Sequence, residues 1–328
     1  MFQMNRTINI AGTGCCLVDR IYPDVDFKDP AIRPYMSRTG GDGGLYPGRL
    51  VFSEQFEVFT GEELEKVVGR ITAGRTPPEL NIGGPSVVPL IHAAQLLQER
   101  AAEVRFHGVR GDDASGKFLW QKLEQTPLHL ENFRIAPGPT PSTIVLSDPS
   151  YQEGHGERMF INTIGAAHQF GPRQLDDSFF HADIVVFGGT ALVPRLHDHL
   201  TELLQNARAK GAVTIVNTVY DFRSELERPG QRWQLGRREG CYRYIDLLIM
   251  DREEALHLSG KPGLQDAAEF FIEQGVSSFM ITNGTGDTLA WSGGRLFGPH
   301  PLKGYPVSSA LIGDLKSGNR GDTTGCGD

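Results

Sequence analysis

The sequence predicts an α/β protein with a central, mostly parallel sheet and helices on both faces. Between residues 85 and 284, stretches typical of helices alternate with apolar stretches typical of strands, and this is the pattern of strand–helix–strand units. Strands such as "ADIVVFGG" and "YIDLLIMD" are almost continuously apolar, as expected when both faces of a sheet are covered. Glycines and polar residues follow these strands, and ligands bind at the carboxyl ends of strands in such sheets.

The elements are predicted in the following order. The alternating run Thr7–Asp19 predicts a first strand that opens at Gly12, and the irregular stretch after it holds one helix candidate, Gly61–Ile71. The apolar spacing within Ser86–Arg100 predicts a helix, with Pro89 tolerated in its first turn. The later elements are the strand "EVRFHGV", the helix "SGKFLWQKLEQ", the strands "STIVLSD", "ERMFINTIG" and "ADIVVFGG", the helix "RLHDHLTELLQNARAKG", the strands "AVTIVNTV" and "YIDLLIMD", the helices "REEALHLSG" and "LQDAAEFFIEQG", the strand "SSFMITNG" and a hairpin-like pair in "TLAWSGGRLFG".

Length and composition limit the classes of protein that this chain can belong to. At 328 residues it is long enough for one large α/β domain. Its net charge of -8 argues against a nucleic-acid partner, which requires clustered Lys and Arg. No apolar run approaches the length that spans a membrane, and no export signal is visible. The four cysteines lack metal-ligand spacing, so we expect reduced thiols in a cytoplasmic protein.

Three short motifs suggest chemistry and are better explained structurally. "GTGCCL" has Leu17 where a dinucleotide-binding fingerprint needs its third glycine, so a tight turn is favoured over a nicotinamide site. "GDDASGKF" resembles a phosphate-binding P-loop, but its two aspartates would repel phosphate; we interpret it as a turn that caps a helix. His197 and His199 do not share a helix face, which argues against a metal site.

The octapeptide "GDTTGCGD" is the strongest candidate for chemistry. Gly325 and Gly327 allow the backbone to approach a ligand closely, and successive amides in such a turn can hold an anion. Asp328 could accept a proton from a hydroxyl group as its oxygen attacks phosphorus. Phosphoryl transfer requires little more than alignment, charge stabilisation and a base. A flexible glycine-rich tail is the alternative for this stretch alone.

Taken together, the motifs resemble those of the PfkB, or ribokinase-like, family of carbohydrate and nucleoside kinases. The resemblance covers nearly the whole chain in the family's order. It rests on these matches: Asp19, "GGPSVVPLIHAAQLL", "GVRGDDASG", "DLLIMDREEALHLSG", "MITNG" and "DTTGCGD". It implies a single ribokinase-like domain over residues 1–328, a three-layer α/β/α sandwich, with a small β lid formed by residues of roughly 20–80 and 142–164.

The resemblance also implies the catalytic residues and the reaction. Asp328 would be the general base on the substrate hydroxyl. The amides of Gly325, Cys326 and Gly327 would form the hole that binds the transferring phosphoryl group. The reaction would be phosphorylation, by ATP with Mg²⁺, of a hydroxyl group on a sugar or a sugar-like small molecule.

The remaining site residues follow from the same matches. Asp19, Gly83 and Gly84 would bind the substrate. Thr282 and Gly284 would lie along the nucleotide phosphates. Glu254, together with Asp251, would hold Mg²⁺ through water. Lids of this family often pair between subunits, so the resemblance is compatible with a homodimer formed through the lid, but the sequence does not fix the oligomeric state.

Departures from the family pattern keep alternatives open. Val88 stands where the family usually has a substrate-binding Asn, and Asp251 replaces the Asn of the family's N-x-x-E motif. Family members continue past the base with helices, so we expect the sequence that ends at Asp328 to be a fragment lacking them. A ribokinase-like binding or regulatory protein without catalysis is therefore an alternative, and a nicotinamide-dependent oxidoreductase is a weaker one.

Overall fold

The computed structural model describes residues 6–74, 79–154 and 156–309 of the chain. Fourteen strands lie in these residues: β1 Ile8–Gly14, β2 Leu17–Tyr22, β3 Leu50–Phe52, β4 Glu79–Gly83, β5 Ala102–Arg110, β6 His129–Ile135, β7 Ser142–Asp148, β8 Glu157–Thr163, β9 Ile184–Gly188, β10 Val213–Asn217, β11 Leu247–Asp251, β12 Ser278–Thr282, β13 Thr288–Ser292 and β14 His300–Tyr305. The same residues hold eleven α-helices: α1 Ser53–Thr60, α2 Leu64–Ile71, α3 Val87–Leu96, α4 Ala114–Leu123, α5 Tyr151–Gly154, α6 Asp177–Phe180, α7 Pro194–Asp198, α8 Leu200–Ala209, α9 Phe222–Glu227, α10 Arg252–Ser259 and α11 Leu264–Glu273.

The large sheet has nine strands in the order β14-β13-β12-β11-β10-β9-β1-β5-β6. The seven strands from β12 to β6 run parallel to one another, while β13 and β14 are antiparallel additions at one edge. This arrangement confirms the predicted α/β class with a mostly parallel sheet. Because the parallel strands share one direction, their carboxyl ends meet along one edge of the sheet.

Helices bury apolar side chains on both faces of this sheet. On one face, Phe187 and Phe279 of the sheet belong to a core that includes Leu204 of α8 and Phe271 of α11. On the other face, β1, β5 and β6 pack against α3 and α4 through a second core. Burying a side chain of this size contributes about 1.5–3 kcal/mol, so helices on both faces hold the strand ends in place. No helix in the described part of the chain is both long and apolar enough to cross a lipid bilayer.

A second sheet of five strands, in the order β3-β8-β7-β2-β4, is formed by other parts of the chain. Its strands come from within, or directly beside, the two segments for which the sequence predicts a lid. One face of this sheet carries Ile144, Leu146 and Ile161, which pack against Phe56 of α1 and Val67 of α2. The chain itself therefore covers this face, and only the opposite face can take part in a site on the large sheet.

The first strand differs from the sequence prediction. Gly12 does not open it: β1 continues to Gly14, and the chain then enters β2 of the other sheet. A Cβ atom on Gly12 would lie 2.3 Å from a methyl group of Leu90. The glycine therefore allows α3 to pack closely on the strand, and this role is not visible in the sequence.

Two later elements also differ. The single helix predicted from "RLHDHLTELLQNARAKG" is divided into α7 and α8 at His199, whose backbone is not helical (φ −111°, ψ 14°). The hairpin predicted within "TLAWSGGRLFG" is wrong in its second strand, because β13 pairs with β14 at His300–Tyr305. The residues between the two strands form the connection, where the Ser292 hydroxyl accepts a hydrogen bond from the Gly294 amide at 3.2 Å.

The buried His107 of β5 makes stability depend on pH. Its side chain packs edge-on against Phe179, and its Nδ1 has no hydrogen-bond partner in the described part of the chain. Burial lowers the pKa of His107 from 6.5 to about 4. Between these values the unfolded chain binds a proton that the folded protein excludes. The free energy of unfolding should therefore fall as the pH drops from 6.5 to 4, by at most about 3 kcal/mol from this residue.

Urea denaturation across this pH range measures the effect. The variant His107→Phe keeps an aromatic ring beside Phe179 and cannot bind a proton, so its stability should fall less steeply than that of the wild type. The variant His129→Phe, at a half-exposed position, is the matched control. If the free energy of unfolding falls equally steeply with pH in the wild type and in His107→Phe, the effect does not come from His107.

Candidate active site

The carboxyl ends of five parallel strands bring chemically useful residues to one edge of the large sheet. The register pairs Gly14 of β1 with Gly188 of β9, and Gly188 with Asn217 of β10. On the same edge, Asp251 of β11 is paired with Thr282 of β12. Two of the predicted site residues, Asp251 and Thr282, are thus direct neighbours on adjacent strands.

The loop that leads into α3 lies against this edge. Gly84 has φ +118°, and a Cβ atom there would lie 2.5 Å from the Cys15 carbonyl oxygen. A Cβ atom on Gly188 would similarly lie 2.3 Å from the Pro85 carbonyl oxygen. The side-chain amide of Asn217 donates to that same Pro85 oxygen at 3.0 Å. These close approaches require glycine and fix the start of α3 beside the ends of β1, β9 and β10.

Asp19 and Gly83 are brought together, but in the second sheet. The sequence places Asp19 after the first strand, whereas the structure places it within β2, where it is buried. Gly83 ends the neighbouring antiparallel strand β4. A Cβ atom on Gly83 would lie 2.3 Å from the Asp19 Oδ2 atom, so the glycine makes room for the carboxylate. Asp19 therefore belongs to the second sheet and does not follow a strand of the large one.

Asp251 and Glu254 form a reciprocal cap at the start of α10. The Asp251 carboxylate accepts from the Glu254 amide at 2.7 Å, and the Glu254 Oε2 atom accepts from the Asp251 amide at 3.0 Å. The Thr218 hydroxyl, which follows β10, donates to the same Oε2 atom at 2.5 Å. This capping box holds both carboxyl groups at the edge of the sheet.

The surroundings of Glu254 disfavour its charged form. Burial, reinforced by the nearby carboxylate of Asp251, raises the pKa of Glu254 to about 7, although the hydrogen bond from Thr218 opposes the shift. A cation at this position would relieve the repulsion between the two carboxylates. The pair offers only oxygen ligands, which suits Mg²⁺, an ion that keeps several waters and takes one or two carboxylates beside substrate phosphates.

The described residues contain no closed metal centre. Within them, no group of three or more His, Cys, Asp and Glu side chains is arranged to hold a metal ion. His197 is buried, with Nδ1 3.0 Å from the Thr190 hydroxyl, as expected for a structural histidine. Asp113 accepts from the Gly116 amide at 2.7 Å and caps α4, which confirms that "GDDASGKF" is a capping turn.

The turn after β12 leaves open space beside Thr282. Gly284 is in the left-handed region with φ +54°, and a Cβ atom there would meet no atom of the described chain within 4 Å. Both residues are exposed. The turn is therefore accessible to a ligand that approaches the ends of β11 and β12.

Apolar contacts join the second sheet to this edge. Leu17 of β2 packs with Cys15 and Leu192, and Phe52 of β3 also joins this cluster. The cavity between the two sheets measures about 10 Å³, and Gly14, Leu17, Leu192 and Asn162 are among the residues that line it. This volume holds about one water molecule.

Sequence reasoning missed two residues of the site and named four that the structure does not describe. Asn217 and Thr218 were missed, although polar residues directly after the apolar run "AVTIV" are a usable signal. The predicted base Asp328 and the predicted anion hole Gly325–Gly327 lie outside the described residues.

Comparisons with known proteins agree on the fold. A sequence profile described as pfkB family carbohydrate kinase matches residues 89–328. Among solved structures, adenosine kinase from Schistosoma mansoni in complex with 2-fluoroadenosine is 15% identical with a TM-score of 0.67, covering 97% of this chain and 85% of that one. Adenosine kinase from Sinorhizobium meliloti is 18% identical with a TM-score of 0.60, covering 92% and 80%. Ribokinase from Arabidopsis thaliana, complexed with ribose and ATP, is 15% identical with a TM-score of 0.58, covering 92% and 78%. No curated protein sequence matches this chain significantly.

Proposed function

The chain belongs to the pfkB family of carbohydrate kinases and has the ribokinase-like fold, and on this basis we propose that it transfers the γ-phosphoryl group of ATP to a hydroxyl group of a sugar or sugar-like small molecule. The observation that carries the proposal is the arrangement of polar residues around one sheet edge. Leu17, two residues before Asp19 on β2, packs at this edge, and Asp251 and Glu254 cap α10 at the end of β11.

On the substrate side, Asp19 accepts hydrogen bonds from the hydroxyl groups of the substrate. Gly83 leaves the space that its carboxylate occupies, and Gly84 holds the α3 loop close to the ends of β1 and β9. The second sheet serves as a lid over the substrate, a role that rests on the resemblance to the family. The lid is expected to open for the substrate and to close before transfer, which excludes water from the reacting atoms.

On the nucleotide side, Thr282 and Gly284 line the phosphates of ATP. Asp251 and Glu254 are the residues that would hold Mg²⁺, and the ion would offset the negative charge of the phosphates. Thr218 keeps Glu254 in place through its hydrogen bond to Oε2. The two sides meet at the ends of β9 and β10, where Gly188 and Asn217 fix the backbone.

At the reacting centre, Asp328 removes the proton of the attacking hydroxyl group. The backbone amides of Gly325, Cys326 and Gly327 stabilise the charge on the transferring phosphoryl group. These roles rest on the resemblance of "DTTGCGD" to the family's motif. Homodimerisation through the lid and a cytoplasmic location stay predictions.

A substrate panel tests the proposal. The purified protein is incubated with ATP, Mg²⁺ and one candidate compound at a time, chosen from pentoses, hexoses and nucleosides. The release of ADP is measured, and phosphorus NMR identifies the phosphorylated product. We expect at least one compound to be phosphorylated. Binding of a panel compound without turnover would favour the ribokinase-like binding protein, and nicotinamide binding would favour an oxidoreductase.

The variant Asp19→Asn tests the substrate side separately. An amide keeps the size of the side chain but loses the charge that strengthens hydrogen bonds to hydroxyl groups. Since such bonds contribute about 1.5–3 kcal/mol, we expect KM for the sugar to rise roughly 10- to 100-fold, with KM for ATP unchanged. The exposed residue Asp24 offers the matched control Asp24→Asn. An unchanged KM for the sugar in Asp19→Asn would refute the assignment.

A further inference from the structure

Three polar side chains lie side by side across the second sheet. In the register of the strands, Asp19 of β2 is opposite Thr143 of β7, and Thr143 is opposite Asn162 of β8. We refer to Asp19, Thr143 and Asn162 as the polar row. All three residues are buried, and Asn162 is only 2% exposed. A row of buried polar groups is costly in a sheet unless the groups are hydrogen-bonded.

The polar row is on the face of the second sheet that is directed at the candidate site. Alternate residues of a strand point to opposite faces. Ile144 directly follows Thr143 on β7, and Ile161 directly precedes Asn162 on β8. Both isoleucines pack under α1 and α2. Leu17, two residues before Asp19 and therefore on its face, packs against Cys15 and Leu192 at the edge of the large sheet. Asn162 also lines the small cavity at this junction.

The hydrogen bonding of the row leaves part of it unused. The Asn162 amide donates to the Thr143 hydroxyl oxygen at 2.9 Å, which fixes the orientation of the amide. The Asn162 Oδ1 atom accepts no hydrogen bond from any residue in the described part of the chain. With its oxygen occupied by Asn162, the Thr143 hydroxyl can still donate its own hydrogen.

We infer that Asn162, oriented by Thr143, is a specificity-determining residue that accepts a hydrogen bond from a hydroxyl group of the substrate. This inference rests on the proposed function of Asp19. Adjacent strands are about 4.8 Å apart, so the row extends about 10 Å from Asp19 to Asn162. The substrate class is a polyhydroxylated compound with a hydroxyl group beyond those that Asp19 binds. Asp19 and Asn162 present acceptors at the two ends of the row, and Thr143 presents a donor between them.

A double-mutant cycle between protein and substrate tests the inference. The best substrate from the panel is compared with each of its monodeoxy analogues, using the wild type and Asn162→Leu. If Asn162 binds one hydroxyl group, the wild type should discriminate about tenfold against the analogue that lacks this group, as expected for one hydrogen bond. Asn162→Leu should lose this discrimination and keep its discrimination against the other analogues.

Two further variants separate recognition from packing. Thr143→Val removes the hydroxyl group that orients the Asn162 amide, so it should weaken discrimination against the same deoxy analogue. Thr143→Ser keeps a hydroxyl group and should retain this discrimination. Ser142→Ala is the matched control, because Ser142 precedes Thr143 on the same strand and is on the opposite face. It should keep discrimination within twofold of the wild type. Thermal unfolding of every variant shows whether each is folded.

The outcomes distinguish this inference from the proposed function. The wild type could turn over the substrate while the effect of Asn162→Leu simply adds to the effect of removing each hydroxyl group. This result would overturn the inference and leave the kinase assignment intact. Binding of the sugars without turnover would refute the kinase assignment, and the same cycle measured by calorimetry would then decide the role of Asn162. Failure of every panel compound to bind the wild type would overturn both.

Discussion

Replacing Asp328 with Asn should lower kcat by a factor of roughly 10²–10⁴, the range expected when a general base is removed. The amide has the size of the carboxylate, so the nucleotide and the sugar should still bind, and KM for each should change little. An effect on kcat alone is the result expected for a group that acts only in the transition state. The measurement is steady-state ADP release with the best substrate of the panel.

Asp314→Asn provides the control for this change. Asp314 precedes the glycine-rich motif, and its substitution makes the same change of charge outside that motif. It should retain turnover close to that of the wild type. Equal kcat values for wild type and Asp328→Asn would refute the assignment of the base. Residual turnover in Asp328→Asn is expected, because the amides of the anion hole and the alignment of the substrates still contribute.

The sequence is sufficient to predict the parallel sheet and part of the site. Strand β9 is apolar along its whole length and β11 is apolar up to Asp251, a pattern typical of strands that helices cover on both faces. Once the strands are parallel, polar residues that follow them must meet at one edge. The sequence places polar residues after several strands and therefore at one edge, and in the structure Asp251 of β11 and Thr282 of β12 are neighbours there.

The strand pairing of the second sheet cannot be predicted in this way, because it joins segments that are distant in the sequence. Asp19 lies beside Asn81 of β4, some sixty residues later in the chain, and beside Thr143 of β7. Local patterns do not specify which strands pair or in which register. The polar row is therefore invisible in the sequence: nothing in "STIVLSD" or "ERMFINTIG" indicates that Thr143 and Asn162 are opposite each other.

Glycines illustrate the same limit, since their roles depend on what approaches them. Gly14 and Gly12 belong to the same strand, and the sequence does not distinguish them. The structure shows that the space beside Gly12 is filled by the side chain of Leu90, whereas that beside Gly14 is filled by backbone. A side chain can change its rotamer, but a strand held by hydrogen bonds on both sides cannot shift as easily.

The variant Gly14→Ala should consequently be strongly destabilised. A Cβ atom on Gly14 would lie 1.8 Å from the Gly188 carbonyl oxygen, at a backbone φ of +134° that residues with side chains rarely adopt. Overpacking typically costs about 1–3 kcal/mol, and such a backbone conformation costs about 1–3 kcal/mol more. We expect the free energy of unfolding to fall by about 3 kcal/mol or more, measured as a lower urea midpoint at an unchanged slope.

Two alanine variants elsewhere isolate the two contributions. In Gly61→Ala only the backbone is strained, because φ is +68° and no atom of the described chain lies within 4 Å of the new Cβ. This variant should lower the free energy of unfolding by about 1 kcal/mol. In Gly12→Ala only crowding is added, and the crowded group is the Leu90 side chain, which can move. The loss of stability should therefore lie between those of the other two variants. A loss in Gly14→Ala no larger than in Gly61→Ala would show that β1 and β9 can separate. The rigid contact between Gly14 and Gly188 could then not hold the edge on which the proposed site depends.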